Sequence, residues 1–153
     1  MKISIDNVMK MEVPEGFRQM TEQELRAQGA NMSDQGVVYK EEDSHILLQI
    51  FWKKVPLLGK NVPLEKTVEL TAKQHRGMVP TYREHRDLET VIAGEKAVGF
   101  SYEYTVKDLE QVTVYYCLRY EKKYYAFSMT MRKENRERDA ALFEKILQSV
   151  TMI

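Results

Sequence analysis

Three consecutive segments near the C-terminal end, AVGFSYEYTV (97–106), QVTVYYCLRY (111–120) and KYYAFSMTMR (123–132), alternate apolar with small or polar residues at a period of two. That period is the side-chain repeat of a β-strand, and three such runs separated by short polar breaks read as one antiparallel sheet. Register then decides which face is greasy. Pairing Val106 with Val112 across a five-residue loop sets Tyr104 opposite Val114, Tyr102 opposite Tyr116 and Phe100 opposite Leu118. Pairing Tyr120 with Lys123 around Glu121-Lys122 sets Leu118 opposite Tyr125, Tyr116 opposite Phe127 and Val114 opposite Met129. A one-residue slip in either hairpin sends an apolar set to the wrong face.

The same pairing builds a second face in rows: Gly99, Arg119, Tyr124; Ser101, Cys117, Ala126; Glu103, Tyr115, Ser128. Two uses of the small middle row are open. It is a shallow groove flanked by Tyr115 and Tyr124, with Glu103 and Arg119 as polar handles for a small molecule or peptide. Or it is a seat for a helix lying close to the sheet, the direction in which the close packing of interiors points.

Upstream, a short strand is expected around Lys10–Val13, ended by the turn-forming Pro14-Glu15-Gly16. Thr21 and Glu24 form a capping box that starts a helix of about two turns, with Gly29 as its stop. Strands follow at Val37–Lys40 and His45–Lys53. In the second, Ile46, Leu48, Ile50 and Trp52 share one face, which marks a central strand covered on both sides. The loop Lys54–Val62 carries exposed Pro56, Leu57 and Leu58. Pro63 then opens a helix to about Arg76, with Leu64, Val68, Thr71 and His75 on one stripe. Pro80–Glu89, dense in charge, reads as a protected edge strand, and Gly94 turns the chain into the three strands above. A last helix follows Asn135 as N-cap, with Phe143, Ile146, Leu147 and Val150 on its apolar stripe.

No repeat or linker divides the 153 residues, so 1–153 is read as a single domain. Lys plus Arg number 23 and Asp plus Glu 23, a balance that gives no field to draw nucleic acid or an anionic membrane. The longest apolar run, Ile46–Trp52, is far too short to span a bilayer. One cysteine, Cys117, and no signal-peptide pattern in MKISIDNVMKMEV place the expected locale in the cytoplasm.

Chemistry is sparse in the sequence. His45, His75 and His85 stand in no metal-ligand spacing, and no GxSxG, Walker loop or GxGxxG occurs. His75 reads as a satisfied, partly buried residue and His85 as solvent-facing. Cys117, in mid-strand, reads as an inert buried thiol. The basic cluster Arg132, Lys133, Arg136 and Arg138 is interleaved with Glu134, Glu137 and Asp139, which favours local neutralisation. No catalytic residue, metal or cofactor is expected.

Four stretches carry a family likeness: VPEGF (13–17), GEKAVGFSYEYT (94–105), KKYYAFSM (122–129) and FEKILQSV (143–150). Together, and in their order, they resemble the PsbP-like group, which includes photosystem PsbP proteins, Ran-binding Mog proteins and bacterial DcrB-like domains. The resemblance implies an α+β fold: an α/β/α sandwich with a mainly antiparallel sheet of about six or seven strands and helices on both faces. It also implies a non-enzymatic protein-binding domain, an assembly factor or a secretion-type chaperone, since relatives in bacteria act as dimeric chaperones. The Mog acidic surface has no counterpart beyond Glu15, and MKISIDNVMKMEV does not read as the lumenal targeting peptide that photosystem function would need. The expected partner is a protein, with a homodimer among the options and Pro56, Leu57 and Leu58 as the contact loop. The alternative is a small-molecule or peptide binder using Glu103, Tyr115, Arg119 and Tyr124.

Overall fold

The computed structural model describes residues 1–27, 35–59 and 61–153. The chain opens with a hairpin absent from the sequence expectation, strands β1 (Lys2–Ile5) and β2 (Met9–Glu12). Asp6 and Asn7 both take positive φ, 54° and 56°, and the Val8 N–H donates to the Ile5 carbonyl at 2.9 Å. Short polar side chains tolerate that conformation, so an Asp-Asn pair turns the chain where no glycine is present. The expected strand at Lys10–Val13 is thus the second arm of a hairpin. The C-terminal strand β10 (Thr151–Met152) pairs with its outer side to complete a three-stranded sheet.

After β3 (Arg18–Gln19) the capping box forms as expected. The Glu24 N–H donates to Thr21 Oγ1 at 3.2 Å, the Thr21 N–H donates to Glu24 Oε1 at 3.1 Å, and α1 spans Glu22–Ala27. The Gly29 stop lies outside the described residues. Strands β4 (Gln35–Glu41) and β5 (Ile46–Lys54), the 3₁₀ turn Leu57–Gly59 and α2 (Leu64–Met78) follow. Then come β6 (Arg83–Ile92), β7 (Glu95–Val106), β8 (Leu109–Tyr120), β9 (Lys123–Arg132) and α3 (Arg136–Gln148).

The main sheet runs β3-β4-β5-β9-β8-β7-β6, antiparallel at every pairing, with β6 at one edge. β5 lies inside the sheet between β4 and β9, though β9 is the middle strand. α3 and the small sheet cover one face and α2 the other, an α+β sandwich of the expected class. Phe143, Ile146, Leu147 and Val150 are all buried against the first face with Ile5, Met9, Met11, Leu48, Ile50, Phe127, Met129 and Met131. Asn135 stands at the start of α3 but makes no side-chain cap. A 3₁₀ turn, Lys133–Asn135, leads into the helix instead.

One hairpin follows the expected register and the other does not. Tyr120 pairs with Lys123, placing Tyr116 opposite Phe127. Between β7 and β8, Val106 pairs with Leu109 across a two-residue turn, Lys107-Asp108, rather than with Val112 across five. Both turn residues have positive φ, 48° and 66°, the twist that suits the flanking strands. The offset is an odd number of residues, so every β7 side chain changes face. Phe100 faces Tyr115 and Tyr102 faces Thr113 on the α2 side, while Gly99, Ser101 and Glu103 stand beside Tyr116, Val114 and Val112 on the α3 side.

Candidate functional site

The face beneath α2 carries the aromatic strands and three of the four predicted groove residues. Its rows across β8, β9 and β5 are Tyr115, Ser128, Gln49; Cys117, Ala126, Phe51; and Arg119, Tyr124, Lys53. The small Cys117–Ala126 row is where α2 comes close, setting Val68 and Ala72 against Phe100, Tyr102, Cys117 and Tyr124. Hydrogen bonds pin the helix. Thr67 Oγ1 lies 3.2 Å from the Tyr124 hydroxyl, and His75 Nδ1 lies 2.9 Å from the Tyr102 hydroxyl. A helix therefore seats on Cys117 and Ala126, while Ser101, the third member of the expected small row, lies on the opposite face. What remains beside the helix, between Phe51, Thr71, Gln74, Tyr115, Cys117 and Tyr124, is a cavity of about 190 Å³. That is below the range of ordinary small-molecule sites.

The expected groove does not assemble, because Glu103 lies on the opposite face. There it is buried, held by Lys133 Nζ at 2.9 Å and Arg136 Nη1 at 3.0 Å. The Lys133 hydrogen bond, against the opposing effect of burial and with help from Arg136, keeps the Glu103 carboxyl below its usual range. Arg119 lies over the Tyr124 ring at 6.0 Å. Cys117 neighbours Val98 and Ala126, not Ser101, and is 3% exposed; burial pushes its thiol up to about 11, far from a reactive thiolate.

The basic cluster is neutralised by close carboxylates, though not all local ones. Arg132 meets Glu134 and Arg138 meets Asp139 Oδ1 at 2.9 Å, but Lys133 and Arg136 go to Glu103 of β7. Asp139 is 1% exposed, and its Oδ2 has no hydrogen-bond partner among the described residues. Pro56, Leu57 and Leu58 lie in the connection from β5 to α2 as expected, with Leu57 89% and Leu58 100% exposed.

Sequence reasoning missed a polar aromatic array at the other flank of α2. The Tyr82 hydroxyl contacts His85 Nδ1, and His85 Nε2 lies 2.8 Å from Asp87 Oδ1. Tyr82 stacks on Tyr102 at 4.1 Å between centroids, His85 on Phe100 at 5.8 Å, and Arg76 covers Tyr82 at 5.1 Å. His85 is therefore partnered, not simply solvent-facing. The signal available was the His85-x-Asp87 spacing, which puts both side chains on one face of a strand. His75 is partly buried as expected, and burial holds its pKa below the ordinary value. The array borders a crevice of about 500 Å³ between α2 and β6–β7. A second crevice, about 650 Å³, lies on the other face between α3 and β6–β8. No group of three or more metal-ligating side chains comes together among the described residues.

The sequence matches the family described as "Serine/threonine kinase C-terminal domain" over residues 10–152. No curated protein matches it in sequence. Among solved structures, the fold is similar to that of Mycobacterium tuberculosis LpqN, described as involved in cell envelope biogenesis. The TM-score is 0.66 at 10% identity, covering 94% of this chain and 82% of LpqN. Cyanobacterial PsbP (CyanoP) from Synechocystis gives 0.63 at 12% identity, covering 100% of this chain and 92% of CyanoP. PA94 from Pseudomonas aeruginosa, described as of unknown function, gives 0.60 at 9%, covering 97% and 94%. These likenesses establish the PsbP-like fold, and they bear on the PsbP side of the resemblance rather than its Mog or DcrB side.

Proposed function

The chain belongs to the serine/threonine kinase C-terminal domain family, and from that premise we propose that it is a non-enzymatic protein-binding domain that docks a partner through the Leu57–Leu58 turn. The observation that carries this reading is the full exposure of two adjacent leucines. Burying a leucine side chain is worth about 1.5–3 kcal/mol, so a partner with a matching apolar pocket gains from both. The 3₁₀ turn fixes their backbone and lowers the entropy lost on docking. The inert Cys117 is consistent with a role that needs no nucleophile. An accessory role beside a kinase accords with the family's description better than a secretion chaperone does.

Replacing Leu57 and Leu58 together by serine tests it. Thermal unfolding stays within about 0.5 kcal/mol of the parent, since both side chains point to solvent. Capture of a partner protein, expected of the intact chain, is lost in the double variant. Unchanged co-purification in the double variant excludes this reading.

A further inference from the structure

The geometry points to the β6 edge as a docking site for an extended peptide of another protein, which adds to the sheet as its eighth strand. This rests on the protein-binding reading above but uses a separate surface. β6 is the last strand of the main sheet, and among the described residues it pairs only with β7. Its outer row of backbone N–H and C=O groups is a template for one more strand. The register shift between Arg83 and Arg86, with Glu84 at positive φ, leaves Arg86–Ile92 as the regular run.

The two crevices give this edge its specificity. One lies on each side of β6, so the two faces of the edge strand open onto different crevices. His85 and Asp87 border the crevice beside α2, Thr90 and Val91 that beside α3, and Leu88 and Glu89 line both. An added strand therefore sends alternate side chains into two unlike environments. On the α3 side they meet Tyr116, Phe143 and Leu147. On the α2 side they pass Asp87, 93% exposed, and Glu89. Lys96 partly neutralises Glu89 at 3.6 Å but is bound more closely to Glu65.

Charge disfavours a second copy of this chain in every two-fold register that pairs the Arg86–Glu89 part of the run with itself. Two-fold antiparallel pairing centred on Arg86, Asp87 or Glu89 sets that residue against itself. Centred on Leu88, it sets Asp87 against Glu89 twice, and the registers centred on Thr90 or Val91, which avoid like charges, pair only the short end of β6 up to Ile92. A different peptide escapes this conflict. The complementary sequence places Lys or Arg opposite Asp87 and Glu89, aliphatic residues opposite Leu88 and Thr90, and an acid opposite Arg86. Read antiparallel, that is Thr-Val-Lys-Leu-Lys-Glu.

The test uses the full chain and two labelled, end-blocked peptides, Thr-Val-Lys-Leu-Lys-Glu and its charge-swapped form Thr-Val-Glu-Leu-Glu-Lys. Fluorescence anisotropy is expected to show saturable binding of the first and roughly tenfold weaker binding of the second, three cross-strand pairs having changed sign. Backbone amide shifts should concentrate at 86–91. In a folded Asp87→Lys/Glu89→Lys variant the preference reverses, and Leu57→Ser/Leu58→Ser leaves it intact. No saturation by either peptide, equal affinity for both, shifts outside β6, or a dimer of the free chain held by β6 overturns the proposal. Binding that depends on Leu57 and Leu58 overturns it too, and leaves the loop reading standing.

Discussion

Against α3 and the N-terminal hairpin, the main sheet presents Leu48, Ile50, Phe127, Met129 and Met131, all fully buried; against α2 it presents Phe100, Tyr102, Tyr115, Cys117 and Tyr124, with His75 and His85 among them. The first face is roofed by a helix and a second sheet, and side chains without polar atoms fill its centre, with Glu103 and Tyr125 bonded to partners beside them. The second has one helix as its roof and crevices on both flanks. Tyrosine and histidine suit that geometry, because one end of the ring packs while the other meets a partner or water. The face with two elements above it is thus the more apolar at its centre, although it too has a crevice at its β6 end.

The most direct way to break this comparison is the same truncation on each face. Phe127→Ala is expected to cost about 3–5 kcal/mol, as a cavity opens that nothing can fill. Phe100→Ala borders the crevice beside α2, where water and neighbouring rings can enter, and should cost about 2–3 kcal/mol. Urea denaturation of both variants measures the difference. Equal losses would mean that the faces are packed alike.

Two glycines sharpen the contrast. On the first face, a Cβ on Gly99 would lie 1.8 Å from the Tyr115 carbonyl oxygen, with the Tyr116 ring directly over it. Gly99→Ala therefore forces the strands apart and should destabilise by about 1–3 kcal/mol. On α2, a Cβ on Gly77 meets nothing within 4 Å, and its φ is not positive. Gly77→Ala should stabilise by about 0.4–1 kcal/mol through the unfolded chain's lost freedom. Thermal melts showing the same sign for both would remove the distinction.

Those glycines also mark what was legible. The period-two runs, the capping box, the α3 stripe and the β8–β9 register were readable because each is a local pattern with one physical cause. The β7–β8 register was not. Lys107-Asp108 lacks the glycine or asparagine that usually signals a two-residue turn, so a longer loop matched apolar with apolar equally well. Nothing local to β7 tells whether Phe100 seeks Leu118 or Tyr115; only the turn does. The candidate groove inherited that parity, which is why Tyr115, Arg119 and Tyr124 stay on one face while Glu103 leaves it. The exposed leucines were legible from a proline-flanked loop alone.

Glu103 provides a smaller test on the first face. Glu103→Gln removes the charge that Lys133 and Arg136 share and should cost about 1–2 kcal/mol. Because the folded carboxyl is held below its usual range, its contribution is present above the unfolded value near 4.5 and is lost as acid titrates the folded form. Asp6 behaves the same way. Burial pulls its pKa up, but hydrogen bonds from Lys123 and Tyr125, each 2.7 Å, outweigh that and leave it lowered. Acid loss from the first face therefore begins below about pH 4.5. The exposed carboxylates Glu24 and Glu65 are lowered too, but solvent screening leaves them little weight.

The second face titrates in a different window. Burial lowers the His75 pKa from 6.5, so as pH falls past that value the unfolded chain takes up a proton before the folded one does. Stability then rises with pH across this interval, and acidification from neutrality weakens the α2 face before any buried carboxylate of the first face responds. The effect is the smallest of the set, and its position on the pH axis identifies it. Thermal melts of the parent from pH 7.5 to 5 should show a gradual decline, which flattens in His75→Asn while the steeper loss below pH 4.5 persists. In Glu103→Gln the reverse is expected: the lower step shrinks and the upper one stays. A His75→Asn variant that retains the full decline would assign it elsewhere and dissolve the division of pH response between the two faces.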